Sequence, residues 1–284
     1  MSIARLTLLT LATMLAFAAN SVLNRLALAG TGLDALLFTS IRLLSGAVFL
    51  WLLLRVRSGA QALGGNWPSA LALLAYAAGF SLAYRELSAA TGALLLFGAA
   101  QVTLITTAMV LGERPQPWQR VGLGLAIAGV IVLLLPGAAA PGLLAALLML
   151  LAGVSWGVYS LRGRNTADAT QATAGNFARA AVLALPLLLW VDFPAADGAQ
   201  AGEGILYALL SGALASGAGY ALWYAVLPHM KATTAATVQL SVPVITALAG
   251  VLLLDESISL RLLVASLLTL GGIALYIRAG RRAA

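Results

Sequence analysis

The sequence predicts an all-α integral membrane protein of ten transmembrane helices, arranged as two inverted five-helix repeats. Three observations carry this: the composition, the spacing of the apolar stretches, and a phrase that occurs twice. The chain is 62% hydrophobic and 9% charged, with a mean hydropathy of +0.99. Soluble domains carry about 25% charge, so these apolar side chains exceed what one water-soluble core can hide, and a bilayer is the solvent that fits them. There is no cysteine, which excludes a disulfide scaffold and the usual zinc and iron–sulfur sites. The net charge of +7 sits in short basic runs between apolar segments, a pattern of membrane topology rather than of nucleic-acid binding.

Crossing about 30 Å of hydrocarbon takes roughly 20 apolar residues in a helix. Ten stretches meet that length: 4–24, 34–54, 67–86, 90–111, 118–135, 141–161, 171–190, 204–226, 233–254 and 259–277. The separators are short and rich in Gly, Pro and charge (GERPQP, PGAAAPG and PHMKAT among them), too short for a further domain. AFA at 16–18 looks like a small-residue cleavage site. The first span is nonetheless read as retained, because its apolar stretch is long and the repeat needs it.

Basic residues set the expected orientation. With the N-terminus in the cytoplasm, that side holds Arg5, Arg55, Arg57, Arg114, Arg120, Arg162, Arg164, Lys231, Arg278, Arg281 and Arg282. The other side holds only Arg25, Arg85 and Arg261, with Arg42 and Arg179 inside spans. Most acidic residues fall on the external side, including Asp34, Glu86, Asp192, Asp197, Glu203, Asp255 and Glu256. The expectation is a multi-pass protein of a bacterial inner membrane with both termini cytoplasmic.

The repeated phrase is MVLGERPQPWQRVGLGLAIAGVIVLL at 109–134 and LLLDESISLRLLVASLLTLGGIALYI at 252–277. A shift of 143 residues places Leu111 on Leu254, Glu113 on Glu256, Leu125 on Leu268 and Gly129 on Gly272. The shared grammar is a span, a Glu-bearing break, and a span with glycine at the same depth. The halves are therefore 1–137 and 138–284. Five spans is an odd number, so the second half enters the membrane upside down, the usual plan of a secondary transporter with its substrate site at the midplane.

Several segments add a family resemblance: SWGVYS at 155–160, QLSVPVITALAGVLLLDESIS at 239–259 and LLTLGGIALYI at 267–277. With the ten spans, they resemble the EamA branch of the drug/metabolite transporter superfamily, and within it the YddG-type amino acid exporters. The first half departs from the pattern, with Ala100 opposite Pro243 and Phe17-Ala18 where a Trp-Gly is usual. The resemblance implies export of amino acids, aromatic and other apolar ones favoured, and related metabolites by alternating access. Export of drug-like or other organic metabolites is the alternative within transport.

Two readings stand beside each candidate residue. Arg42 and Arg179 each lie about eight residues into a span, where an arginine costs roughly 2.5–3.5 kcal/mol; they tie helices together, or they meet substrate or gate the path. Glu113 and Glu256 precede new helices and are expected to be held by the N–H groups there, worth ~0.3–1 kcal/mol, with a gate role as the other reading. Tyr76, Phe80 and Tyr84 form one stripe, Tyr220, Trp223 and Tyr224 another, with Trp156 and Tyr159 between them. Trp51, Trp67, Trp118 and Trp190 sit at span ends as interface anchors. Tyr76, Phe80, Trp156, Tyr159 and Trp223 are expected in a substrate cavity, with the polar residues Asn20, Gln101, Gln239 and Ser241; the plain alternative is packing and interhelical glue. Pro243 breaks the ninth span and frees carbonyls near Gln239 and Ser241, as happens beside transporter cavities.

No Asp or Glu falls mid-span, so transport is expected without an obligatory buried carboxylate. The expected partners are a small-molecule substrate and the bilayer, with no cofactor, no metal and no nucleic acid; the sequence leaves the oligomeric state open, a monomer among the options. The rival class is a membrane-embedded lipid-modifying enzyme. Against it, the chain has no paired His, no HExxH and no phosphate-cradling loop, so no catalytic residue is assigned.

Overall fold

The computed structural model describes residues 1–58, 63–137, 140–163, 166, 168–191, 198–230 and 232–281. Lys231, Arg164, Asp192, Asp197 and Arg282, used above for orientation, lie outside them. Among the described residues ten helices are long and apolar enough to cross a membrane: Ile3–Gly30, Ala35–Arg57, Trp67–Tyr84, Ala89–Val110, Pro117–Leu134, Leu143–Gly163, Ala169–Trp190, Gln200–His229, Thr234–Leu254 and Leu260–Gly280. They match the ten expected spans and are numbered in that order.

Local chemistry sets their starts. Ser2, Asn66, Ser88 and Asp168 each accept a hydrogen bond from the backbone N–H three residues on, satisfying donors that the first helical turn leaves free. Gln116 and Gln119 form a reciprocal capping box, with Pro117 at the first helical position. The first and eighth spans run longer than expected, and each contains a π segment, Leu26–Gly30 and Ser211–Ala218. The ninth is broken in two, Ala232–Gln239 and Ser241–Leu254. Pro243 is the cause: without an N–H it cannot bond the carbonyl of Gln239, and Leu240 turns its own N–H to Thr237 at 3.2 Å instead.

The burial pattern inverts that of a soluble protein. Leu8, Leu11, Leu15, Leu144, Leu147, Leu151, Leu248 and Leu267 are exposed, while Asn20, Asn24, Arg42, Gln101, Asn176 and Thr246 are buried. Trp51, Trp67, Trp118 and Trp190 are exposed at helix ends, the level at which tryptophan meets headgroups.

The fifth and tenth spans pair closely through glycine. A methyl group on Gly122 would come within 2.6 Å of the Gly272 carbonyl, and one on Gly129 within 2.7 Å of the Ala265 carbonyl. Thr269 Oγ1 reaches the carbonyl of Ala126, 143 residues away, at 3.5 Å. Shifting by 143 exchanges the first two contacts and leaves the third unchanged. The larger pairings behave alike: first with eighth mirrors sixth with third, first with ninth mirrors sixth with fourth, and second with seventh mirrors itself.

Candidate functional site

A cavity of about 540 Å³ lies among the fourth, sixth, eighth, ninth and tenth spans. Its walls are Gln101, Leu104, Ile105 and Ala108 of the fourth span, Trp156 and Ser160 of the sixth, and Tyr220, Trp223, Tyr224 and Leu227 of the eighth. Ala235, Ala236 and Gln239 of the ninth and Tyr276, Ile277 and Gly280 of the tenth complete it. The mouth is lined by Glu113, Arg114, Gln116 and Gln119. From Gln101 to the end of the fourth span is nine residues, so the floor lies roughly 14 Å below that helix end, near mid-membrane. The break in the ninth span places Gln239 on the wall; the hydroxyl of Ser241 takes the carbonyl of Val238 at 2.6 Å.

Trp156 is the hub of the floor. Its ring lies 5.0 Å from Tyr220, 5.2 Å from Tyr76 and 6.1 Å from Phe17, and stacks on Tyr159 at 5.8 Å. Gly153 and Gly157 let the sixth span approach the fourth: a methyl group on either would press on Leu96, Ala99 or Thr103 at 2.5–2.9 Å. Beyond Trp156 and Tyr220 lies a second pocket of only about 10 Å³, bordered also by Asn20, Ser21, Tyr76 and Phe80. The Tyr76 hydroxyl there accepts from Asn20 Nδ2 at 3.1 Å and Arg42 Nη2 at 2.8 Å. Ser211 donates to Asn20 Oδ1 at 2.6 Å and Ser81 to Asn24 Oδ1 at 3.2 Å. The π segment of the eighth span supplies Ser211 and Ser216 to this network, in keeping with the placement of such segments at functional sites.

Further along, the molecule is shut. Tyr84 is fully buried, edge-on to Phe80 at 4.7 Å, and donates to the carbonyl of Ala89 at 3.2 Å. The Glu256 carboxylate accepts from the Ala89 N–H at 2.8 and 3.0 Å and pairs with Arg25 Nε at 3.3 Å. Arg25 also donates to the carbonyls of Tyr84 and Arg85, both at 3.2 Å. Asp255, in a left-handed conformation at φ 52°, turns the chain so that Glu256 folds back, its N–H bonding Gly250 at 3.1 Å.

These contacts correct several sequence expectations. Glu256 caps the start of the fourth span rather than the tenth, because the left-handed turn aims it inward. Glu113 does not cap the fifth span, where Gln116 and Gln119 do so; it is exposed at the mouth, its N–H on the Ala108 carbonyl and its carboxylate with no hydrogen-bond or ion-pair partner among the described residues. Arg179 is half-buried and bonds the carbonyls of Gly64 at 2.6 Å and Gly175 at 3.0 Å, a tie between segments rather than a deep charge. Arg42 is the deep one, 1% exposed. Gln101, Trp156, Trp223 and Gln239 line the cavity; Asn20, Tyr76 and Phe80 line the small pocket instead. Tyr159 lies behind Trp156, and Ser241 is turned to the backbone, so neither borders a cavity. Tyr220, Ser160 and Tyr276 border the cavity although the sequence did not single them out as site residues. The stripe formed by Tyr220 with Trp223 was the available signal for the first of these.

A bundle of ten apolar helices around a cavity open at one end defines a multi-pass membrane protein of transporter type. Comparison with known proteins gives the family: the EamA-like transporter family matches twice, over residues 5–135 and 143–278, and the chain belongs to it. An uncharacterised protein of Pseudomonas aeruginosa is 53% identical over 98% of this chain and 97% of its own length. A crystal structure superposes with a TM-score of 0.68 at 22% identity, over 99% of this chain and 100% of the other, a likeness of fold.

Proposed function

We infer that this transporter moves small organic solutes by alternating access between two inverted halves, 1–137 and 138–284, and that it exports amino acids, aromatic and other apolar ones favoured. One observation carries the reading. A cavity shared by both halves opens at one end only, and the other end is held shut by Glu256 on the fourth span. The glycine and threonine contacts of the fifth and tenth spans, which the 143-residue shift carries into one another, support two equivalent halves that exchange roles. Gln101, Trp156, Trp223 and Gln239 are the proposed substrate contacts in this state, with Tyr220 beside them. Asn20, Tyr76 and Phe80 would come into contact as the floor opens.

The excess of basic residues on the open face argues that this face is cytoplasmic, so the structure is inward-open in a bacterial inner membrane. In the outward-open state Glu113 takes the part of Glu256: the shift that maps Glu256 onto Glu113 also maps Ala89 onto Ala232, at the start of the ninth span. The two glutamates and Pro243 are thus gating residues, and Arg179 is structural. Among the described residues no carboxylate lies in the cavity floor, which supports transport driven by the substrate's own gradient.

The test is uptake of a radiolabelled amino acid panel into proteoliposomes holding only this protein, with and without a pH gradient. Saturable uptake of aromatic and aliphatic amino acids, unchanged by the gradient, is expected. The aromatic walls also favour drug-like cations, held by cation–π attraction of ~0.5–2 kcal/mol. Saturable uptake of such cations with no amino acid uptake would replace the amino acid reading by that one.

A further inference from the structure

Arg42 is the largest fully buried side chain among the described residues, 1% exposed. Its guanidinium does not lose its proton inside proteins, so a permanent positive charge stands in the middle of the bundle. Everything found around it is neutral. Nε donates to the Ser216 hydroxyl at 3.2 Å and Nη2 to the Tyr76 hydroxyl at 2.8 Å. Its Cζ lies over the rings of Tyr76 and Phe80, 5.0 and 5.1 Å from their centres. Nη1 is buried with no hydrogen-bond partner. The one ion pair among the described residues, Arg25 with Glu256, belongs to the sealed end. An arginine kept only to tie helices is built like Arg179, half-buried and holding two carbonyls. Arg42 holds no carbonyl and no carboxylate. A buried charge without a partner is costly and marks a functional site.

The place of this charge says what would neutralise it. Tyr76 and Phe80, the two rings against the guanidinium, border the small pocket, and that pocket shares Trp156 and Tyr220 with the open cavity. At about 10 Å³ it has room for about one water in this state. A solute group reaches it only as Trp156 moves off Tyr76, in the step that closes the cavity behind the solute. We propose that Arg42 is the counter-charge for the carboxylate of the transported solute, bound as the carrier occludes. Resting on the transporter reading above, this assigns the substrate class as organic carboxylates with an apolar or aromatic remainder. The free Nη1 and the Tyr76 hydroxyl donate to the carboxylate, and the aromatic floor takes the rest. Among the described residues no carboxylate faces this region to hold an ammonium group, so the amine of an amino acid is dispensable and an aryl carboxylate without one is accepted equally.

The experiment measures thermal stabilisation of the purified full chain by four probes: L-phenylalanine, L-phenylalaninamide, 3-phenylpropionate and 3-phenylpropionamide. Both carboxylates stabilise the wild-type protein, and each amide binds about 10–100-fold more weakly, the range for loss of a charge-assisted hydrogen bond. Arg42→Met abolishes the difference between acid and amide, and Arg42→Lys restores part of it. Should Arg42→Met fail to fold, Tyr76→Phe keeps the charge but lowers the preference for acids about tenfold, removing one donor. Equal stabilisation by acids and amides, none by either acid, or an undiminished preference in both Arg42→Met and Tyr76→Phe would overturn the proposal. Saturable uptake of neutral or cationic solutes by a protein indifferent to all four probes would remove Arg42 from substrate recognition and leave the transporter reading standing.

Discussion

The two ends of the bundle are built from the same local phrase and do different things. Gly112 at φ 103° and Asp255 at φ 52° are 143 residues apart, and both are left-handed turns that end a span just before a glutamate. At one end Glu256 reaches across the molecule to the Ala89 N–H and Arg25. At the other, Glu113 stands exposed at the rim of the cavity. On the proposed reading, the same local phrase supplies a latch at each end, and the relative placement of the helices decides which one is engaged. That is the behaviour expected of two equivalent halves with one access path between them.

Four substitutions break or sharpen this comparison. The largest effect is expected at the floor that both ends share. Trp156→Ala removes the ring that Phe17, Tyr76, Tyr159 and Tyr220 surround. It should lower the initial rate of solute uptake at least about tenfold, with ~3–5 kcal/mol of destabilisation; Trp156→Phe, keeping an aromatic floor, should recover much of both. Next comes the engaged latch. Glu256→Ala leaves the Ala89 N–H and Arg25 Nε without their acceptor, while Arg25 keeps the carbonyls of Tyr84 and Arg85, at a cost of ~1–3 kcal/mol to the closed end. A cysteine placed at Ser21, in a chain that has none of its own, should then react severalfold faster with a maleimide added from the Glu256 face.

The pairing of the fifth and tenth spans should respond differently. Gly129→Leu drives a side chain into the tenth helix, where the Ala265 carbonyl leaves no room. It should destabilise by ~1–3 kcal/mol, seen as a lower Tm in detergent, yet leave the labelling ratio of the two ends unchanged, because on the proposed reading both states share this contact. The smallest effect belongs to the disengaged latch. Glu113→Gln should change stability by less than the ~0.5 kcal/mol typical of exposed sites, while slowing transport, since the proposed outward-open state needs that charge.

The helices themselves were legible because length and hydropathy suffice to mark a membrane span. Trp156, Trp223, Gln101 and Gln239 were legible as polar or aromatic residues inside spans. Which face each helix turns inward was not. These helices are apolar all round, so periodicity carries little direction, and Tyr159 reads like Tyr220 although only Tyr220 borders the cavity. Ser241 reads as a cavity donor until its hydroxyl is seen on Val238. The partner of Glu256 lies 167 residues away, beyond any local signal. Arg42 was conspicuous from its cost, but only the structure separates it from Arg179.

The central claim is that one latch opens as the other closes. It is tested by labelling two single-cysteine forms, Ala108→Cys on the open cavity wall and Ser21→Cys beyond Trp156, each with and without Glu256→Gln. The account predicts opposite movements: labelling of Cys at 21 from the Glu256 face rises while labelling of Cys at 108 from the Glu113 face falls. If both rise together, or if releasing Glu256 leaves position 108 untouched, the two ends are not coupled and alternating access is contradicted.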